Sequence, residues 1–189
     1  MFRVSAISLL VLLLPSPARS TSVEAVTFEE MVQRAERIFV GEVVDVSSFR
    51  ADTTSGLRIR TRVTFRTSET VLGAGPLVVL EFRGGTVGGR TEQVEGMPSF
   101  AVGDEYVVFA HDGAQWVSPI VGLSQGLFHV SRDARDGASL VLTHDGVPVA
   151  TTTSVGRPRV RVAPTMSVPM TLSAFMDAVH TELVRNPHK

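Results

Sequence analysis

Cysteine is absent from the chain, which excludes a disulfide framework and lipid attachment at an N-terminal cysteine. No long apolar run is present either. The longest, Val4 to Leu14, falls well short of the ~18–20 residues that a bilayer span demands. Its setting is that of a cleaved export signal: Arg3 before it, Pro15 and Pro17 after it, and a small-x-small site at Ala18-Arg19-Ser20. The sequence predicts a signal peptide over residues 1–20 and export to the periplasm or the medium, with no membrane anchor after cleavage. Net positive charge is also missing. The 18 Lys+Arg face 19 Asp+Glu, and without Arg3 and Arg19 the balance is 16 against 19, a formal −3. A mildly acidic exported chain lacks the basic footprint of a nucleic-acid binder.

What is present reads as mainly β. "TFEE" sets a capping box at Thr27 and Glu30, and Phe28, Met31, Val32 and Ala35 follow at helical spacing. From Ile38 the run "IFVGEVVDVSSF" is strand-like, with Gly41 as a bulge or bend. After a loop at "RADTTSG", the segment "LRIRTRVTFRTSETVLG" alternates. Leu57, Ile59, Val63, Phe65 and Val71 fall on one side, with Arg58, Arg60, Arg62 and Arg66 on the other. Further strands are predicted at "PLVVLEF", "SFAVGDEYVVFAHDG", "AQWVSPIVG", "QGLFHVSRD" and "SLVLTHDGVPVATT", with hairpin signals at Asp112-Gly113 and Asp145-Gly146. Prolines 158, 164 and 169 mark extended chain. A last helix follows Thr171, with an apolar stripe of Leu172, Phe175, Met176, Val179 and Leu183 and a stop at Pro187.

These elements predict an α+β, mainly β fold: a small antiparallel OB-like β-barrel with an N-terminal and a C-terminal amphipathic helix packed on it. The expected organisation is a barrel domain with its N-terminal helix over 21–152, an extended linker over 153–170, and the closing helix over 171–186. Each helix is expected to seal an open face or edge.

The order helix, "AERIFVGEVVDV", long strand ending in "ETVLG", short strand, "F-x-x-GDEYVVF" and "VGLSQGLFHV" resembles a family of exported bacterial proteins of unknown function. Their layout is similar to the OB-type barrel of the tissue inhibitors of metalloproteinases and netrin-like modules. The likeness covers about Ala35 to Val130 and implies the fold alone. Inhibition in that group depends on an N-terminal cysteine that chelates zinc, and this chain has no cysteine.

Two motifs tempt. "GGTVGGRT", Gly84 to Thr91, fits G-x-x-x-x-G-K-[ST] except that Arg90 replaces the lysine. A phosphate loop opens a helix, whereas "EQVEGMPSF" lacks helical periodicity, so a glycine-rich hairpin or loop is expected. "GLSQG", Gly122 to Gly126, fits G-x-S-x-G, yet "LFHVSRD" after it has strand period where a nucleophile elbow needs a helix. Ser124 remains the candidate nucleophile, with His144 or His180 and Asp133, Asp136 or Asp145 as possible partners. His111 and His144 each precede an Asp-Gly turn and read as solvated hairpin ends; no spacing suggests a metal site, and no cofactor is expected. Glu29, Glu30 and Glu36 belong to the first helix's exposed face and cap.

The candidate partner-binding residues are Arg58, Arg60, Arg62 and Arg66, which project from one strand face about 7 Å apart at alternate positions. Such a row could grip a carboxylate- or phosphate-bearing partner, with Arg157, Arg159 and Arg161 adding to it. It could equally be a solvated face paired with glutamates on neighbouring strands. The expected function is a non-catalytic exported binding module for a protein or anionic polymer. The alternatives are a small exported hydrolase using Ser124 and a structural component of the envelope.

Overall fold

The computed structural model describes residues 24–54, 56–113, 117–156 and 168–187. The expected signal peptide, Trp116, and the arginines at 157, 159 and 161 lie outside the described residues. Helix α1 (Phe28–Arg34) starts as the sequence predicts. The Thr27 hydroxyl accepts from the Glu30 amide at 3.2 Å, and the Glu30 carboxylate accepts from the Thr27 amide at 3.0 Å. Then come β1 (Arg37–Thr53) and β2 (Gly56–Leu72), two 17-residue strands joined by a tight turn. The expected loop at 50–56 is therefore mostly strand, because pairing continues out to Thr53 and Gly56.

The remaining elements are β3 (Leu77–Arg83), β4 (Gly85–Val87), β5 (Arg90–Glu92), β6 (Glu105–Ala110), β7 (Leu127–Arg132), β8 (Ser139–Thr143), a 3-10 turn at Thr152–Ser154, and α2 (Leu172–Arg185). Six strands form one antiparallel sheet in the order β3-β2-β1-β6-β7-β8, and β4-β5 is a separate hairpin. Among the described residues no strand pairing joins β3 to β8.

Hydrophobic clusters form on both sides of the sheet. On one side Ile38, Val40, Val107, Phe109, Phe128, Val130 and Val141 pack under Phe28, Met31 and Val32 of α1 and Phe175, Met176 and Val179 of α2. The Phe28 and Phe175 rings meet edge to face at 5.6 Å. The two helices thus cover one face together. On the other side the long strands curl, so that Val78, Leu80 and Phe82 of β3 join Phe39, Val43, Val63, Phe65, Tyr106, Val108 and Ile120 in a second cluster. Phe100 caps it, 4.8 Å from Phe82 and 5.8 Å from Phe65 between ring centroids.

The Gly-Asp-Glu-Tyr turn has a local cause. Asp104 accepts from the Tyr106 hydroxyl at 3.2 Å and from the Ala101 amide at 3.3 Å. Burial, aided by the charge of Asp104, raises the Tyr106 phenol above its ordinary value.

Two expectations needed correction. Of the strand predicted over "AQWVSPIVG", residues 114–116 lie outside the described residues, and Val117 to Gly122 form a single antiparallel bridge, Ala110 to Ile120, followed by turns. The alternation of β2 also overstates its buried face. Leu57 is 53% exposed, since it lies beyond the reach of the core near the hairpin end, and Val71 packs against the helix-side cluster. Phe65→Ala should therefore lower the free energy of unfolding by ~3–5 kcal/mol, and Leu57→Ala should change it by less than ~0.5 kcal/mol. Urea denaturation of the two variants checks this; equal losses would contradict the packing described.

Candidate functional site

The two tempting motifs resolve differently. "GGTVGGRT" is the β4–β5 hairpin. Gly88 and Gly89 both have positive φ, 58° and 77°, the signature of a two-residue I′ turn, and Val87 pairs with Arg90 across it. The chain continues from β5 into turns, without a helix, so the glycines serve the turn and no phosphate cradle forms.

"GLSQG" is a clamp. Gln125 accepts from the Val26 amide at 2.9 Å and donates to Glu24 O at 2.9 Å, tying the chain before α1 to this turn. The Ser118 hydroxyl donates to Leu123 O at 2.6 Å. Leu123 has φ 72°, a left-handed conformation uncommon outside glycine. Ser124 is buried, and its Oγ lies 3.1 Å from Nε2 of His144, an exposed residue in the Asp145-Gly146 turn. Sequence order alone left His144 as one of two histidines, and the structure selects it. His144 and Asp145 border a cleft of about 430 Å3 whose other walls include Phe128, Val147 and Val155. The amides of Ser124 and Gln125 both donate to Gly122 O, at 3.0 and 3.2 Å, so neither is aimed at a substrate oxygen.

His111 and Asp112 line other clefts than His144 and Asp145, so the two Asp-Gly turns do not combine. Among the described residues no group of three metal-ligating side chains forms.

The arginine row stands on the outer face of β1–β2–β3, where its charges are partly matched. Arg62 reaches Glu81 with Nη2 at 2.8 Å and Nε at 3.3 Å, and its guanidinium lies 4.8 Å over the Phe49 ring. Arg60 meets the same carboxylate at 3.5 Å, Arg58 meets Glu92 at 3.8 Å, and Arg66 meets Glu42 at 3.9 Å. Arg83, directly opposite Arg60 in register, is exposed and has no acidic partner among the described residues. The register also sets Asp45, opposite Thr64, and Glu69, opposite Val40, on this side, so five guanidiniums share the face with five carboxylates, those of Glu42, Asp45, Glu69, Glu81 and Glu92. Sequence reading missed Arg83 and Glu81, although both follow the same alternation in "LVVLEFR".

Beside this face runs the outer edge of the sheet. Gly84 N donates to Ile59 O at 2.9 Å and Thr67 N to Pro76 O at 3.1 Å, which fixes the hydrogen-bonding phase of the β2–β3 pair. In that phase Val78, Leu80 and Phe82 bond β2, and the amides and carbonyls of Leu77, Val79, Glu81 and Arg83 face away from it. The edge fronts a cleft of about 210 Å3, bounded across from it by Arg37, His111, Asp112, Val117 and Pro119. Arg37 Nε sits 2.5 Å from Asp112 Oδ1, an ion pair by distance but without hydrogen-bond alignment, and this buried Nε has no other acceptor among the described residues.

No protein-family model, no characterised protein and no solved structure matches the chain.

Burial holds the His111 imidazole below its ordinary range, opposed by the Glu36 carboxylate and a hydrogen bond with the Arg34 backbone. The fold therefore favours neutral His111. Its contribution to stability is complete above the unfolded value of about 6.5 and is lost as pH falls through the folded value. The His111 ring protons should titrate below pH ~6.5 by NMR, and Glu36→Gln should move the midpoint lower still. A midpoint at or above the unfolded value would contradict the burial of this side chain.

Proposed function

We propose that the chain is a non-catalytic exported binding module for an anionic protein or polymer, built on an OB-type barrel like that of the netrin-like modules. The curl that carries β3 over to Ile120 and to His111, Asp112 and Val117 supports the barrel reading, since it brings the outer edge of β3 back toward the strand β6. The observation that carries the binding reading is the row of arginines on one exposed face, three of them held to carboxylates only at 3.5 Å or longer, with Arg83 unmatched among the described residues. Exposed ion pairs are worth only ~0–1 kcal/mol, so a partner's carboxylate, sulfate or phosphate can displace Glu81, Glu42 or Glu92 at small cost. Phe49, Leu77 and Val79 give the same face an apolar component that suits a protein partner.

The test uses heparin and poly-aspartate as probes. The mature chain should bind both in a salt-dependent way. Changing Arg58, Arg60, Arg62 and Arg66 to serine should weaken binding about tenfold or more, because hydrogen bonds to charged groups contribute ~1.5–3 kcal/mol each. Equal binding by the variant, with its circular dichroism unchanged, would refute this face as the site.

A second reading is favoured by one distance, the 3.1 Å between Ser124 Oγ and His144 Nε2. In a small exported hydrolase, Ser124 would add to an ester carbonyl carbon while its proton passes to His144. A fluorophosphonate probe should then label Ser124, and His144→Ala should slow the labelling. Absence of labelling removes the hydrolase and leaves the pair as a bond that fixes the two turns to each other.

A further inference from the structure

We infer that the outer edge of β3 is a strand-addition site for an extended peptide that carries an acidic side chain. This rests on the binding-module reading and specifies its partner.

Three features converge on the edge. The first is backbone: Leu77, Val79, Glu81 and Arg83 turn their amides and carbonyls away from β2, and among the described residues no strand pairs with them. An unpaired edge is a template for another strand. Its usual protections are weak here, since the edge has no proline between residues 77 and 83, no bulge in its pairing with β2, and no lysine.

The second feature is apolar. The exposed side chains at this edge include Leu77 at 60% and Val79 at 48%, and Val117 across the cleft is 52% exposed. Alternate residues of an added strand would contact Leu77 and Val79 on the same face. The third feature is charge. Arg83 is unmatched among the described residues, and Arg60 lies directly opposite it, held to Glu81 only at 3.5 Å. An acidic residue in the added strand would sit within reach of both guanidiniums.

The test selects peptides from a random displayed octapeptide library on the mature chain, sequences them and measures their affinity. Enriched peptides should carry Asp or Glu among alternating aliphatic residues. Val79→Pro removes an outward amide without touching the bonds to β2, a placement that edge strands tolerate, and it should weaken these peptides at least tenfold, as should alternate N-methylation of the peptide. Arg83→Ser should weaken acidic peptides and spare their Asn or Gln counterparts. On addition of peptide, the amides of Val79 and Glu81 should exchange with solvent more slowly by NMR.

Peptides that bind the Val79→Pro variant and the N-methylated forms equally well would overturn strand addition, while a retained response to heparin would leave the anionic-partner reading intact. Absence of any enriched peptide overturns the inference. So does a dimer in sedimentation that Val79→Pro dissolves, which would give the edge to a second copy. Loss of both peptide and heparin binding would dispose of the two readings together.

Discussion

Everything else in the molecule depends on β1 changing its pairing phase as it crosses the sheet. Ile38, Phe39 and Val40 are all buried, on alternate faces, so the first turns of this strand serve both hydrophobic clusters. Register shifts against β2 fall at three points, between Ile38 and Phe39, between Val40 and Gly41, and between Val43 and Asp45. Each adds local twist and bend. After the third shift the inward position passes from Val43 to Val46, and the strand continues into a curl that a flat 17-residue strand could not follow. Gly41 permits the second shift through close approach: a Cβ there would press at 3.2 Å on Arg66 O and on the Phe39 ring.

The curl divides the labour of the two faces. Across β6, β7 and β8 both helices cover the sheet together, and the Gln33 side chain ties them by donating to Asn186 O at 2.7 Å. Where it is curled, β3 comes over the second cluster and no helix is needed. The same movement creates the exposed edge. A strand whose inward residues, Val78, Leu80 and Phe82, are committed to the core holds its outward amides in a fixed, extended line. Rigidity of that kind lowers the ordering cost of binding, because only the incoming chain has to lose conformational freedom.

Much of the local structure was legible in the residues. The capping box of α1, the period of α2, the alternation of β2 and the Asp-Gly turn at 145–146 are written in short-range patterns, and short-range forces decide them. What escaped depends on contacts distant in sequence. Nothing in "AQWVSPIVG" says that Ser118 will bond Leu123 O and hold the chain in turns. Nothing in the letters around Gln125 says that its amide will clamp Val26, 99 residues away. Leu57 fits the inward frame and still ends exposed, because alternation predicts direction and leaves open whether a core exists there. The row of four arginines was visible, and its pairing with glutamates was one of the two readings open at that stage. The missing fifth arginine, Arg83, needed the β2–β3 register before it could be placed beside Arg60.

Partial neutralisation of that face is consistent with a binding role once magnitudes are compared. Arg58, Arg62 and Arg66 have side chains that are 52, 48 and 66% exposed, and two of their three carboxylate contacts are 3.8 Å or longer. Pairs this exposed and this long are screened by salt and held by a fraction of a kcal/mol. They keep the like charges from destabilising the sheet in isolation, yet yield to a carboxylate that arrives with backbone hydrogen bonds of its own. Arg62 is the exception: with two contacts to Glu81 and its guanidinium over Phe49, it is positioned as part of the wall. In the proposed binding role, selectivity would come from Arg83 and the neighbouring edge amides, the groups whose requirements the chain's described residues do not already meet.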